Sequence, residues 1–522
     1  MSTPQDPNFT PGSPEWWTFK LEYALINRRQ KLLQFDRYYD GDHPLPFLSP
    51  AHQAKVANAF TRLLTMSKAN FCGLVVDTTV QRLRPIGFRL SASGSEASDD
   101  ETWGIYQGNN LDEHIITGFQ EASVKGVSYL GVWFPQPGSK YPQITIEDPL
   151  QTIVAYDHSV GGFMRRTAAL KMYVDEFTGD ERAVLYLPDR ICKFYRPAAA
   201  PTSLITGTLA GQRPVYLPWL SLGTPDSVIP NELGVVPIIP MRNNGKLLKE
   251  GVSDLENVVP IQDRINTNLF LRMLSGYVGA GGQKYIIGST MMKDEETGED
   301  IEFDAAVDRI FNIENPEAKV GQFDAADLTQ FIESINQDVN MLAILSKVPK
   351  SMLLPTGQSP SGDAVDAEAA GLVAKCDRQK VPYGEAIEEA LRLSRICAGM
   401  PATPPDSELI WADSESQSSA AVSASVIQQY QVGLLPLDAA LEKLGYSPQA
   451  IARFKQQRLH DAMLAALTAP GLTPDGPPQQ TPAGAPGAAG GSTDPSNVPG
   501  KLPKSPAGTE PSQGITSGTA NG

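Results

Sequence analysis

Apolar positions along the chain follow two different periods, and the switch between them divides the chain into regions. Trp17, Leu21, Leu25, Leu32 and Phe35 recur mostly at helical gaps and predict a helix over 16–39. Ser13-Pro14-Glu15 supplies its start: a capping hydroxyl, a proline tolerated in the first turn, and an acid near the positive end of the helix dipole. Asp40-Gly41-Asp42 stops it. A second helix is predicted from Ser49-Pro50 to about Met66. A third runs from Asn70 to Leu83, is closed by Pro85 and Gly87, and leads into a strand over 87–90. A Ser/Asp loop over 91–101 precedes helices at 101–108 and 111–124.

From Ser128 to Pro240 the texture becomes that of strands. Segments 129–134, 144–146, 153–156, 168–174, 183–187 and 191–195 are punctuated by Pro, Gly and Asp at short intervals, which predicts an antiparallel sheet. Residues 196–235 read mostly as loop, and a strand from Val235 ends in the polar turn at Asn243-Asn244. Helical spacing then returns. Val258, Ile261, Ile265 and Leu269 line one side of a helix over 253–274, capped by Ser253, in which Pro260 is placed to kink the helix or delay its start. At ~1.5 Å per residue this helix is roughly 30 Å long.

Residues 276–327 read as a compact insert: a Gly-rich turn, a strand at 284–287, a polar hairpin at 295–300 and an apolar stretch at 309–313. Phe331, Ile335, Val339, Leu342 and Leu345 form the stripe of a helix over 328–347. A Pro/Gly/Ser break at 349–361 separates it from a long helix over 362–398, interrupted by Pro382. Helices at 418–431 and 437–464 end the folded part. Residues 1–14 and the aromatic-free, Pro/Gly/Ala-rich stretch after 467 bury too little to offset ordering entropy and are expected to be disordered.

Length and composition narrow the picture. A chain of 522 residues predicts two to four packed units, and 41% apolar residues suffice for a buried interior. No uncharged apolar run reaches membrane-spanning length, and the N-terminus lacks the basic and apolar regions of a secretory signal. Cys72, Cys192, Cys376 and Cys397 form no CxxC pair, so they read as small buried hydrophobes of a reducing compartment. The five histidines show no zinc spacing. A formal charge of −16 argues against tight DNA binding, which needs basic groups to neutralise phosphate. It is compatible with DNA passing by, because an acidic wall repels phosphate.

The stretch from Gly276 to Lys284 fails as a phosphate loop: the lysine does not directly follow glycine, Tyr285 replaces the magnesium-binding hydroxyl, and a helix precedes where a strand is needed. There is no GxSxG and no HExxH. Asp40 and Asp42 could hold a cation, but a turn at a helix end accounts for them. The basic clusters Arg28-Arg29-Gln30-Lys31, Arg82-Leu83-Arg84, Arg165-Arg166 and Arg453 to Arg458 read as solvated helix faces or subunit contacts. No catalytic, cofactor or metal residue is predicted.

Tyr38-Tyr39-Asp40-Gly41-Asp42-His43, the segment from Val236 to Asn244, Ser253 through Asn266, and Ser361-Gly362-Asp363-Ala364 with Glu368 to Leu372 stand within the order of elements above, and together they resemble the SPP1-type portal proteins of long-tailed double-stranded DNA phages. Tyr38-Tyr39-Asp40-Gly41-Asp42-His43 is similar to the family's early Tyr-Tyr-x-Gly turn. The segment from Val236 to Asn244 is similar to its strand leaving the wing. Ser253 through Asn266 resembles its first stem helix, and Ser361-Gly362-Asp363-Ala364 with Glu368 to Leu372 resembles the end of its tunnel loop and the helix beyond.

The resemblance covers about residues 15–465 and implies an α+β portal fold that forms rings. It implies a wing over 15–250 with its β-rich part at 128–240, stem helices over 251–275 and 328–347, and a small α/β clip over 276–327. A tunnel loop over 348–362, a long wing helix over 363–404 and a helical crown over 405–466 complete it. The implied role is that of a non-enzymatic ring at one capsid vertex, assembled in the bacterial cytoplasm, through which genome is packaged and ejected. The implied partners are about eleven further copies, terminase, head–tail adaptor proteins, major capsid protein and scaffold. Double-stranded DNA would pass through without sequence-specific contacts, and no cofactor or membrane is involved.

Candidate site residues follow. Lys347, Lys350, Ser351, Gln358 and Ser361 would belong to the loop facing DNA, with the two lysines making weak phosphate contacts or, alternatively, stem or scaffold contacts. Glu295, Glu296, Glu299, Asp300 and Glu302 would face partners from the clip, a solvated hairpin being the plainer alternative. Two rival readings are a different phage head protein (adaptor or minor head protein) and a metal-dependent nuclease using Asp40 and Asp42.

Overall fold

In the computed structural model of the chain, the residues described are 9–44, 61–90, 99–157, 159, 165–197, 219–223, 227–246, 250–280, 284–287, 319–322, 327–354, 362–414, 419–446 and 448–468. Residues 1–461 form one compact unit; 462–522 group separately, and of these only 462–468, the end of the last helix, are described.

The chain is α+β. Helix α1 (Pro14–Tyr39) starts as its sequence dictates, with Ser13 Oγ accepting from the Trp16 N–H at 3.2 Å. Helices α2 (Thr61–Met66) and α3 (Phe71–Val80), strand β1 (Pro85–Arg89), and helices α4 (Asp100–Gly108) and α5 (Leu111–Lys125) complete the helical N-terminal part. Strands β2 (Val127–Trp133) and β3 (Gln143–Glu147) join the later β10 (Ile238–Arg242) in a three-stranded antiparallel sheet, ordered β10-β2-β3. Strands β4 (Thr152–Asp157), β5 (Arg165–Val174), β6 (Glu181–Tyr186) and β7 (Arg190–Arg196) form an antiparallel meander, and the short β8 (Leu220–Ser221) and β9 (Val228–Pro230) both pair with β7.

Helix α6 (Val259–Ala280) leads to β11 (Lys284–Ile287), which pairs antiparallel with β12 (Lys319–Gln322) before helix α7 (Thr329–Ser346) returns. The one-turn helix α8 (Lys350–Leu353), the 36-residue α9 (Gly362–Cys397), strand β13 (Glu408–Trp411), and helices α10 (Ser419–Gln431), α11 (Leu437–Lys443) and α12 (Pro448–Thr468) follow.

Three apolar clusters hold these elements. The largest joins α3, α5, α6, α7 and α9 around Phe119, Leu130, Ile265, Leu342, Tyr383 and Leu391. Each such buried side chain stabilises by roughly 1.5–3 kcal/mol. The second seats α1 on the inner face of the meander, where Leu21 and Leu25 meet Leu170, Leu185 and Phe194. The third lies between the two larger sheets, around Tyr129, Val154, Ala169 and Ile238. All four cysteines are free and buried, and burial raises the Cys72 thiol to about 12.

Several boundaries depart from the sequence reading. The helix expected from 253 begins at Val259, because Pro260 falls in its first turn and 254–258 is a separate turn; it also runs on to Ala280, past Gly276. Pro382 does not interrupt α9, which is continuous: Tyr383, Ala386 and Ile387 are buried just beyond it, and this packing outweighs one lost backbone hydrogen bond. The expected helix over 437–464 is two, broken where Gly445 takes φ +83°. Strand β13 was not foreseen; it pairs antiparallel with β1 across more than 300 residues of sequence.

Candidate functional site

Helices α6 and α7 run antiparallel and are joined to each other by polar as well as apolar contacts. Asn268 Nδ2 donates to Ser334 Oγ (3.2 Å) and Asp338 Oδ2 (3.1 Å), while Arg264 pairs with Asp338 at 2.8 Å. Ile265 and Phe270 of α6 and Val339, Leu342 and Ala343 of α7 are buried. The strand pair β11–β12 lies at the far end of this helical hairpin in sequence. Its near end is fastened by three sets of buried and half-buried polar groups.

The first set is the Tyr38–His43 turn. Tyr38 OH donates to Asp263 Oδ1 at 2.6 Å, and both burial and that carboxylate hold the phenol protonated. Tyr39 OH donates to Asp77 at 2.9 Å. The His43 ring lies 3.0 Å from the Tyr38 carbonyl through Nε2 and 3.0 Å from Asn266 Nδ2 through Nδ1. Asn266 Oδ1 is already taken by the Ala69 N–H (3.0 Å) and Gln262 Nε2 (3.0 Å), so its amide must donate to His43. The network therefore specifies a neutral imidazole protonated on Nε2.

Burial lowers the His43 pKa below its ordinary 6.5, against the raising influence of the Tyr38 carbonyl and Asp263; Lys68 lowers it further, and Asp42 raises it slightly. A histidine with a depressed folded pKa binds fewer protons than the unfolded chain does. Its contribution is complete above pH 6.5 and is lost as pH falls through the folded pKa. The melting temperature of the wild-type chain is therefore expected to drop as pH is lowered below about 6.5. In His43→Gln that pH dependence should be smaller, as read by thermal melts across pH 5–8.

The second set is the crossing at 250–258. Gly251 passes so close to Gly126 that a Cβ there would lie 1.8 Å from the Gly126 carbonyl oxygen. Glu250 accepts from Tyr129 OH (2.8 Å), Tyr156 OH and Arg28 (3.2 Å), and Arg28 also donates to the Pro149 and Thr152 carbonyls. Arg28 is thus a half-buried clamp and not part of a solvated helix face. Arg166 similarly forks onto Glu389, and Arg82 donates to the Ser414 carbonyl at 2.7 Å.

The third set centres on Asp254, whose side chain is 3% exposed. Its carboxylate accepts from Asn243 (2.9 Å), Asn244 (2.9 Å), Gln379 (3.2 Å) and Lys375 (3.0 Å). Strand β10, the crossing before α6 and the middle of α9 therefore meet at one ion.

The break after α7 is ordered at its entry. Lys347 ends α7 in the left-handed conformation, φ +61°, and is exposed; Val348 and Pro349 are buried; exposed Lys350 opens α8. Ser351 does not face solvent freely: its N–H and Oγ donate to the Glu368 carboxylate at 3.0 and 2.9 Å. Partial burial works against ionisation, but these bonds and nearby Lys350 hold Glu368 below the usual carboxylate range. Of the other predicted loop and clip residues, Gln358, Ser361, Glu295, Glu296, Glu299, Asp300 and Glu302 lie outside the described residues.

Asp42 pairs with Arg37 (2.9 Å) and Lys68 (3.6 Å), and Asp40 is the C-cap of α1. Among the described residues no group of three or more His, Cys, Asp or Glu side chains is placed to hold a metal ion. Among them, too, no helix is long and apolar enough to cross a membrane. Sequence reasoning missed Asp254, Lys375 and Glu368. A signal for Lys375 exists: Lys375 and Gln379 are a polar pair at i, i+4 on a helix face otherwise apolar.

The family described as phage portal protein, SPP1 Gp6-like, matches residues 19–457. The portal protein of Mycobacterium phage D29 is 28% identical over 418 residues, 76% of this chain and 79% of its own length. The portal protein of Mycobacterium phage L5 is 28% identical over 398 residues, 72% of this chain and 75% of its own length.

Proposed function

Since the chain belongs to the SPP1 Gp6-like family of phage portal proteins, we propose that about twelve copies close into a ring at one capsid vertex with α6 and α7 around a central DNA channel. The observation that carries this reading is a stripe of uncovered apolar side chains on α7. Met341, Ile344 and Leu345 are exposed at helical spacing, Ile344 by 73%, and Leu271 and Tyr277 are exposed on α6. A helix that leaves such a stripe in water is stabilised by a second surface. In a ring that surface belongs to the neighbouring copy.

In this reading α6 and α7 are the stem. The segment from 276 to 327, with β11–β12, is the clip that meets terminase during packaging and head–tail adaptor proteins afterwards. Residues 348–362 are the tunnel loop, α9 is the long wing helix, and the helices after β13 form the crown. Major capsid protein and scaffold hold the ring in the shell. Twelve copies at −16 each carry −192, and a largely acidic bore lets a polyanion slide with few traps. The polar sets around Asn266, Glu250 and Asp254 tie the stem to the wing, so that force on one is carried to the other. Ser351 on Glu368 closes the base of the tunnel loop.

Negative-stain images of the purified chain test the ring: particles with a central hole are expected, and material that stays monomeric at high concentration would sink the reading. Lys347 and Lys350 stand at the loop as exposed cations for transient phosphate contacts. The Lys347→Glu/Lys350→Glu double variant is expected to assemble into rings yet to lower DNA packaging, scored as the fraction of filled heads. Normal filling would assign the two lysines to protein contacts instead.

A further inference from the structure

The β5–β6 hairpin ends in a turn that holds Phe177 wholly in solvent, 99% exposed. The turn is well bonded. Asp175 Oδ1 accepts from the Phe177 and Thr178 N–H groups at 3.0 and 3.2 Å, the Asp175 N–H donates to the Asp180 carbonyl at 2.9 Å, and Gly179 supplies the required φ of +73°. Tyr173 and Val174 beside it are exposed too. Asp175, Glu176 and Asp180 give the turn negative charge, and Arg182 lies 3.8 Å from both Asp175 and Asp180. A rigid acidic turn that displays a phenyl ring has the form of a knob.

The same chain carries a matching socket. Between the three-stranded sheet and the meander lies a cleft of about 290 Å³. Its apolar walls include Val132, Trp133, Ile191, Ile229 and Ile238, and its basic groups are Lys171 and Lys193. Lys171 is neutralised by Glu147 at 2.6 Å. Lys193 has no ion-pair partner among the described residues, which leaves the cleft with a net positive charge.

The knob cannot fill its own socket. Lys171 lines the cleft, and Phe177 lies six residues further along the same hairpin. That is about 20 Å at strand rise, and a paired strand cannot fold back on itself. Copies related by a rotation that is not a half-turn meet through two different patches of the same chain. Knob and socket are such patches, apolar at the centre and opposite in charge at the rim.

We propose that Phe177 of one copy inserts into the Val132–Ile229 cleft of the next copy around the ring, with Lys193 facing the acidic turn. The inference rests on the ring reading above and adds a wing-to-wing contact to the contact of the stem helices.

The test uses the full chain. In Phe177→Cys/Ile229→Cys, mild oxidation of assembled rings is expected to give a ladder of covalently linked copies on a non-reducing gel, and neither single substitution should give one. The native cysteines are buried and do not compete. Phe177→Asp should melt like the wild type as a monomer, since its side chain is in solvent, yet should raise the concentration for half-assembly at least about tenfold. Lys193→Glu should act likewise, and adding Glu176→Lys to it should restore assembly. If the wild-type chain forms rings but rings of the double-cysteine variant give no ladder, or if Phe177→Asp assembles unchanged, the contact is overturned and the ring is left standing. Cross-linking by Phe177→Cys alone would put tip against tip and also overturn it. A wild-type chain that never forms rings overturns both.

Discussion

Replacing Lys375 with methionine is expected to destabilise the folded chain by roughly 3–5 kcal/mol, the largest loss from any single change at the stem root. The side chains of Lys375 and Asp254 are 10% and 3% exposed and lie 3.0 Å apart. Methionine keeps much of the lysine stem's packing but removes the charge and the hydrogen bond from Nζ to Thr79 Oγ1 (3.2 Å). Asp254 then keeps only Asn243, Asn244 and Gln379, three neutral amides that donate hydrogen bonds but bring no counter-charge. A buried carboxylate left in that state costs several kcal/mol, whereas the intact pair comes close to balancing its own desolvation. Urea unfolding of the full chain measures the loss. Adding Asp254→Asn to Lys375→Met removes the stranded charge and should recover a large part of it. A change below about 1 kcal/mol in the single variant would mean that water reaches Asp254 and that the site is no buried anchor.

Ile344→Asp combined with Leu345→Asp is expected to abolish ring assembly while leaving the monomer's melting temperature close to wild type. Both side chains are exposed in the single chain, so two carboxylates there stay hydrated and cost little. In the ring each copy would have to bury them against its neighbour's helices. Without cations at the contact, that penalty is several kcal/mol per interface. The concentration needed for assembly should rise on the order of a hundredfold or more, seen by light scattering after size exclusion. Rings that form as readily as wild type would remove the α7 stripe from the subunit contact. Thr329 and Gln330, exposed on the first turn of the same helix, give a polar control position.

Much of this molecule is legible in its sequence, and the reason is local. Period locates α1, α6 and α7, because the hydrophobic effect acts on faces that repeat every 3.6 residues, while Ala/Glu-rich composition marks α9 and Pro, Gly and Asp punctuation marks most strands of the two larger sheets. Ser13-Pro14-Glu15 starts α1 where a cap, a proline and an acid should start it. The turn from Tyr38 to His43 is readable as a motif, yet nothing in it says that Tyr38 reaches Asp263 and His43 reaches Asn266, more than 220 residues away. Arg28 shows the limit most plainly. Its neighbours Arg29, Gln30 and Lys31 make it look like part of a solvated basic run, but the fold turns it inward onto Glu250 and two carbonyls.

The sequence by itself determined the class of the chain: α+β, with a helical hairpin interrupted by an insert, a long Ala/Glu-rich helix, and a net acidity that suits passing DNA better than gripping it. Tertiary structure alone decided which polar groups matter, how β13 pairs with β1, and that Pro382 lies within an unbroken α9. The division has one cause. Periodicity and capping are written in neighbouring residues, whereas the partner of a buried charge is chosen by whatever distant segment the packed core brings within 3 Å of it.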